Sequence, residues 1–556
     1  MSDRHLAHWP QGVPRRIEVP ERSVALNLTE TAARQPDDVA IHYHGAAITF
    51  AALAAQVEAM AGWLRAEGGV TQGDRVLLYM QNSPQFVIAY YAILRADAVV
   101  VPVNPMSRHK ELTHFAADTG ARLAFAGQEL LEHVAPLIGT HLDAVVAAAY
   151  ADMTDPASDI PLPEGLRDGA PEDYGLRGVV PWARAAAAGH APGPVTAGPD
   201  DLAVIPFTSG TTGLQRGCMH THRTVMWTLV GGLAWNPRGL GGASLTTLPL
   251  FHVTGMQNSM NGPVYHGEAT VLMTRWDRAV AARLIERHRI TRWRSISTMA
   301  IDLVNDPDVA RYDLTSLKTI GGGGAAMPEP VARRLKALTG LDYIEGYGMS
   351  ETMAATHINP IDRPKRQCLG IPVFDVDARV VDPGTLEELD VDEVGEILIH
   401  APQNFTGYWN DPEATRAGVV ELDGKRFIRT GDIGRCDAEG YFFITDRLKR
   451  MINAAGFKVW PTEVESMMTD HPAVAEVCVT GLPDARRGES VMAWVVRRGP
   501  LDEDELIAWC RRVMAAYKCP RRVVFLDALP RSPSGKVMWL ELQERAARGR
   551  QGPGRG

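Results

Sequence analysis

Leu202-Ala-Val-Ile-Pro-Phe207 runs directly into Thr208-Ser-Gly-Thr-Thr-Gly213 and on through Leu214-Gln215-Arg216-Gly217. The apolar run reads as a buried strand. In the loop after it, glycines let the backbone turn its N–H groups inward as an anion nest, and hydroxyls add donors. Arg216 brings a permanent positive charge suited to a polyphosphate. GxxxxGK[ST] is absent, so this is not a Walker A loop, and taken alone it reads equally as an ordinary Gly/Thr turn.

Outward from that strand the pattern repeats. Residues 48–65 place apolar side chains at helical spacing behind a capping threonine, and GDRVLLYM at 73–80 reads as a buried strand. A helical run ending near Leu94 leads into a second strand, AVVVPV at 98–103. Strand and helix signals alternate through much of the first 400 residues, which predicts α/β layers. Residues 152–200 are rich in Pro, Gly, Ala and Asp and read as a surface excursion or linker. The composition breaks again near 446–456. Beyond it come a helix at 461–471, strands at 474–482 and 489–497, and a helix at 502–517, a short α+β pattern. The division expected is 1–447, 448–546 and a disordered tail at 547–556.

Length and charge narrow the function. A chain of 556 residues is too long for one core and shows no repeat, so it has room for a site between domains. With 57 basic against 66 acidic residues, no polybasic tract suggests a nucleic-acid or membrane-surface footprint, and a small-molecule partner is expected. Its six cysteines, Cys218, Cys368, Cys436, Cys478, Cys510 and Cys519, form no CxxC pair and read as reduced thiols. The N-terminus has no apolar signal core, and the most apolar stretch, Phe86 to Val103, is interrupted by Arg95 and Asp97. A soluble, cytoplasmic protein with no integral membrane segment is expected.

The phosphate loop is followed in order by Glu345-Gly-Tyr-Gly-Met-Ser-Glu351, Arg429-Thr-Gly-Asp432, Asp446-Arg447-Leu-Lys449 and Pro530-Arg-Ser-Pro-Ser-Gly-Lys536. From about residue 25 to 545 this set resembles the adenylate-forming superfamily: acyl-CoA synthetases, aryl-CoA ligases, luciferases and peptide-synthetase adenylation domains. The resemblance implies a large N-terminal domain of α/β layers with a distorted β-barrel, joined by a hinge to a small C-terminal α+β lid. It also implies an acid:CoA ligase that uses ATP, Mg²⁺ and coenzyme A, with no nucleic-acid partner, and leaves a homodimer open.

Roles can be argued for these residues beside the resemblance. Tyr347, between Gly346 and Gly348, offers a flat face to adenine, with the 322–325 backbone on the other side. Asp432 can accept two hydrogen bonds from the ribose diol, and Arg447 can donate to the same sugar. Glu351 suits Mg²⁺, a hard cation that takes carboxylate and phosphate oxygens. The resemblance implies an ATP site of Thr208, Ser209, Gly210, Thr211, Thr212, Gly213, Arg216, Gly324, Ala325, Glu345, Gly346, Tyr347, Gly348, Ser350, Asp432, Ile444 and Arg447. Ser350 stands where the family usually has Thr and keeps the hydroxyl. Lys536 becomes the lysine that bridges substrate carboxylate and α-phosphate, a preorganised charge worth roughly 3 to 4 kcal/mol. Lys449 becomes the hinge, and Gly456 and Lys458 the coenzyme A contacts.

The acyl pocket implied lies along His252, Val253, Thr254, Gln257, Gly322, Gly323 and Met349, with His252 at its mouth. The string GGGGAAMPE resembles fatty acyl-CoA synthetases, of the long-chain-fatty-acid–CoA ligase type, more than aryl ligases. Its small residues are read as leaving a slot for a slim aliphatic chain. Gln257, Asn258 and Asn261 offer the alternative of a polar or aromatic acid. Transfer to a carrier protein is the further alternative, although no carrier domain follows residue 546. Two positions depart from the family pattern. Gln215-Arg216 replaces Pro-Lys, which keeps the charge and loses a rigid turn, and Asp97 stands in Arg95-Ala-Asp97-Ala where RAGA is customary.

Overall fold

A computed structural model describes residues 3–208, 215–323, 327–447, 450–454, 457–484, 488–531 and 537–548, the side chains of 447, 453, 457, 458, 488, 547 and 548 excepted. The strand at 202–204 joins an eight-stranded sheet whose members from Leu202–Val204 to Val179–Pro181 run parallel. A nine-stranded sheet, parallel from Val39–Tyr43 through Tyr343–Met349, carries the glycine-rich strand Thr319–Gly323 near its middle. Between the sheets lies the helix Pro84–Arg95, capped by Ser83 and buried along nearly every residue. A helix apolar all round needs protein on every side. It shares one core with Val100 and Phe125 of the first sheet and Ile41 and Leu272 of the second.

The capping threonine before residue 50 is Thr49, whose hydroxyl accepts from the Ala52 N–H at 3.2 Å. A third sheet is antiparallel throughout. It comprises Asp377–Val381, Gly395–His400, Lys425–Cys436 and Val419–Leu422, with Phe442–Arg447 paired on the long strand, and it corresponds to the expected barrel. The strands Ile452–Ala454, Phe457–Val459, Val474–Asp484, Gly488–Arg497 and Arg522–Leu526 form a separate sheet with their own core around Val464, Met468, Val495 and Leu506. The fold class is as expected.

The 152–200 segment is more than a surface excursion. It adds the edge strand Val179–Pro181 to the eight-stranded sheet, and it buries Leu162, Leu166 and Trp182 in the main core. Composition hid this because the few apolar anchors are diluted among Pro, Gly and Asp. Asp97 now has a structural account. Its φ of 56° is left-handed, where Gly is at ease and Asp is tolerated. Its buried carboxylate pairs with Arg65 at 2.6 Å and accepts from the N–H groups of Thr196 (2.9 Å) and Ala197 (3.1 Å). The end of the 152–200 segment is thereby tied to the helix Phe50–Ala66.

All six cysteines are free and buried. Among the described residues no helix is long and apolar enough to cross a membrane.

Candidate active site

The C-terminal ends of the nine-stranded sheet's parallel strands meet the antiparallel sheet, the crevice in which open α/β folds hold ligands. Tyr347, on the strand Tyr343–Met349, donates its hydroxyl to Asp432 at 2.5 Å. Asp432 sits on Lys425–Cys436 directly opposite Arg447 in the ladder. Two motifs 85 residues apart thus share one point. The turn before Asp432 is rigid: Gly431 takes a φ of 66°, the Thr430 hydroxyl donates to the Ile397 carbonyl at 2.7 Å, and Arg429 pairs with the buried Glu396 at 2.5 Å. Arg429 is therefore spent on supporting the turn that carries Asp432. Ile444, on the neighbouring strand, is 44% exposed, an unusual state for a large apolar residue and one that suits a ligand face.

The phosphate loop is closed at its neck. Thr208 N–H donates to the Arg216 carbonyl at 2.9 Å, and Phe207 bridges Gly217. Ser209, Gly210, Thr211, Thr212 and Gly213 lie outside the described residues, as do Gly324, Ala325, Lys449, Gly456 and Lys536 and the side chains of Arg447 and Lys458. Arg216 pairs with Asp411 at 2.9 Å and lies over the Tyr408 ring. Its charge is shared with a carboxylate before any phosphate arrives.

Glu351 is buried on a short turn, Ser350–Thr352, and accepts from the Tyr408 hydroxyl at 2.8 Å. Burial and that carboxylate push the Tyr408 hydroxyl far above its ordinary range, so it stays a donor. The Ser350 carbonyl accepts from His220 at 2.7 Å. Burial lowers that imidazole to about 4, which makes it neutral at physiological pH. Sequence reasoning missed Tyr408 and His220. A Gly-Tyr-Trp-Asn run at 407–410 signals the first, and nothing in the CMHTHRT string singles out the second. Among the described residues no group of three or more His, Cys, Asp or Glu forms a metal cage. A single carboxylate such as Glu351 fits Mg²⁺ held mainly by phosphate oxygens.

Glu345 is occupied by the scaffold. Its carboxylate accepts from the Met327 N–H at 2.8 Å, and burial pushes its pKa up. Glycines here serve close approach. A Cβ at Gly322 would lie 1.8 Å from the Ser295 carbonyl oxygen, one at Gly323 2.4 Å from that of Gly346, and one at Gly348 1.7 Å from that of Ala354. The expected slot at Gly322 is thus filled by neighbouring backbone.

The cavity lies further along. Trp227, Gly231, Gln257, Asn258, Ala354 and Phe374 are among the residues that line it. Of the expected pocket residues only Gln257 reaches this wall. Val253 is buried in the core, Thr254 is half-buried, Met349 packs against Cys218 and Phe405, and His252 is exposed, its ring accepting from the Thr254 N–H at 3.3 Å. Gln257 and Asn258 sit on a π-helical turn, Met256–Asn261. Gln257 donates to the Val225 carbonyl at 2.8 Å and accepts from Asn261 at 2.8 Å, while Tyr91 donates to Asn261 at 2.9 Å. Asn261 is consumed by this network and does not face the cavity.

Residues 28–409 match the family model of the AMP-binding enzyme, and residues 463–536 that of the AMP-binding enzyme C-terminal domain. The chain belongs to the AMP-binding enzyme family. This AMP-binding enzyme is 32% identical over 549 residues to a long-chain-fatty-acid–CoA ligase of Bacillus subtilis (strain 168), covering 97% of each chain. It is 33% identical over 520 residues to a feruloyl-CoA synthase of an Amycolatopsis species, covering 92% of this chain and 97% of that one. The crystal structure of ATP-bound MatB from Rhodopseudomonas palustris superposes with a TM-score of 0.80 at 28% identity, covering 94% and 98%. The enzyme is an ATP-dependent, AMP-forming acid:CoA ligase with the adenylate-forming fold.

Proposed function

We propose that the acid is an aliphatic one of medium or long chain. The observation that carries this reading is full-length likeness to a long-chain-fatty-acid–CoA ligase in both domains, supported by a cavity whose wall includes Trp227, Ala354 and Phe374. In the first half-reaction a carboxylate oxygen attacks the α-phosphorus of ATP, the bond to the β,γ-phosphates breaks, and pyrophosphate leaves. Tyr347 and Asp432 hold the adenosine, and the 208–216 loop cradles the phosphates. Lys536 bridges the two anions whose approach must be screened. Glu351, kept in place by the Tyr408 hydroxyl, would hold Mg²⁺, which would supply positive charge against the phosphates. In the second half-reaction the coenzyme A sulfur attacks the acyl carbon, the C–O bond to AMP breaks, and the thiol proton passes to solvent.

The domain division at 447 and 448, a hinge at Lys449, a cytoplasmic location and a homodimer belong to the same proposal. An aryl acid is the second reading, favoured by the likeness to a feruloyl-CoA synthase and by the side chains of Asn258 and Gln403 on the cavity wall.

Coenzyme-A-dependent AMP release across short, medium and long aliphatic acids, benzoate and cinnamates decides between them. Each methylene that enters an apolar slot adds about 0.8 kcal/mol, so activity at low acid concentration should climb about fourfold per carbon up to the length that fills the cavity. A flat aliphatic series with a clear optimum for a cinnamate would overturn the aliphatic reading.

A further inference from the structure

Arg292 and Arg294 stand two residues apart on the strand Ile290–Ile296 and so share one face of the nine-stranded sheet. Trp293 between them packs into the core on the opposite face. Arg292 lines the cavity described above. It is 7% exposed and pairs at 3.4 Å with Glu268, whose side chain is fully buried. That carboxylate also accepts from the Gly241 N–H at 2.9 Å and faces His266 at 3.4 Å.

Arg294 lies in register between Thr246 and Gly321. The Thr246 hydroxyl donates to the Ser259 carbonyl of the π-helical turn at 3.0 Å. Arg294 therefore rises on the sheet face that this turn covers, beside the glycine strand. Among the described residues it has no hydrogen-bond or ion-pair partner, and the groups acting on it are Arg292, a like charge, and Tyr343. Burial and Arg292 lower its pKa to about 10, which leaves it charged at neutral pH. Arg294 is half-buried and its nitrogens are not among the sealed polar atoms, so the guanidinium stands within the fold and remains accessible to a ligand.

Two guanidiniums therefore stand side by side on this sheet face, and the one carboxylate recorded against either of them, Glu268, pairs with Arg292, which lines the cavity. A half-buried cation without a counter-charge carries a desolvation cost, and a pocket for a plain alkyl chain has no use for one. A planar fork of N–H donors is instead the natural receptor for a carboxylate, which it can take in bidentate fashion. We propose that Arg294 receives the far end of the acid, and that the preferred substrate is an aliphatic acid whose tail ends in a second carboxylate instead of a methyl group. This rests on the acid:CoA ligase reading, keeps its aliphatic chain, and specifies the end of that chain.

Matched pairs of equal length, from butyrate with succinate to dodecanoate with dodecanedioate, test this by acid-dependent pyrophosphate release from the full-length enzyme. At the best length the diacid should exceed its monoacid in kcat/KM by about a hundredfold, because a site built for a polar group rejects an analogue that lacks it. Arg294→Met should bring that ratio to about one or below it and leave the KM for ATP within about twofold. Arg294→Lys, which keeps the charge and loses the fork, should fall between. Monoacids preferred at every length, with a ratio unmoved by Arg294→Met, overturn the proposal. If Arg294→Met does not fold, the ratio measured on the unaltered enzyme decides alone. If no acid releases pyrophosphate, the ligase reading fails, and calorimetric binding of each matched pair then tests the Arg294 assignment by itself: tighter diacid binding supports it and equal or weaker binding overturns it.

Discussion

Asp97 shows how one departure from a family pattern can be structural. Glycine suits its left-handed backbone without cost; aspartate adds a carboxylate that Arg65, Thr196 and Ala197 all use. Burial pushes that carboxyl up. Hydrogen bonds from the Thr196 hydroxyl and N–H and from Ala197, with the Arg65 charge, pull it further down, so it ends below its ordinary value of 3.8. A lowered folded-state pKa means stability that is present above the unfolded value and lost as pH falls through the folded one. Asp97→Asn keeps tolerance of the backbone and loses the charge; we expect it to cost about 2 kcal/mol, and Asp97→Ala about 3 kcal/mol or more. In urea melts the gap between the parent and Asp97→Asn should be full above about pH 4 and narrow below it. A gap that stays constant from pH 5 to 3 would show that the charge contributes nothing.

Among elements, the π-helical turn Met256–Asn261 was the least legible in the chain. Its string HVTGMQNSMNGPVYH has no clean period, and π geometry is a local insertion that tertiary contacts must hold in place. Here the hold is a buried network in which Gln257 reaches Val225 and Asn261 takes the Tyr91 hydroxyl. Of the side-chain amides read from sequence as substrate contacts, Asn261 is framework and Gln257 is anchored while lining the cavity, because their partners Tyr91 and Val225 lie on the helices Pro84–Arg95 and His222–Trp235. Asn261→Ala would leave the fully buried Tyr91 hydroxyl and the Gln257 carbonyl without their partner, at a cost of about 2 kcal/mol. Because Gln257 and Asn258 on the same turn line the cavity, the order of preference among acids should shift as well. A thermal melt and the acid panel check this, and an unchanged melt with an unchanged panel would show that the network is dispensable.

For the whole molecule the question is movement. In the proposed mechanism one site serves two reactions, with Lys536 near the carboxylate first and a path for the thiol afterwards, which requires the C-terminal unit to change pose. One contact crosses the proposed junction, the Asp446 carboxylate accepting from the Thr462 N–H at 2.8 Å, while Arg450 pairs with Glu465 within the C-terminal unit. We propose Lys449 as the pivot, and a turn there would have to release the Asp446–Thr462 hydrogen bond. Lys449→Pro fixes φ near −65° and restricts the preceding residue. Adenylate formation should then persist within about threefold, while thioester formation from preformed acyl adenylate drops at least tenfold, measured as separate half-reactions. Wild-type rates in both would place the pivot elsewhere.

Family and layers were legible because each is a local matter: apolar period marks strands and helices, and the residues proposed to meet the nucleotide, Tyr347, Asp432 and Glu351, stand in short ordered motifs. The strand after the first composition break, the Tyr408 support of Glu351, the Asp411 pairing of Arg216 and the cavity beside Trp227 and Phe374 were not. Each depends on residues brought together from distant parts of the chain, and Arg294 is the clearest case. In sequence it is one arginine in RITRWRSIS; only the sheet register, the neighbouring Arg292 and the single carboxylate of Glu268 make it a cation without a partner among the described residues. Charge balance is a property of a volume, and a volume exists only once the strands have paired.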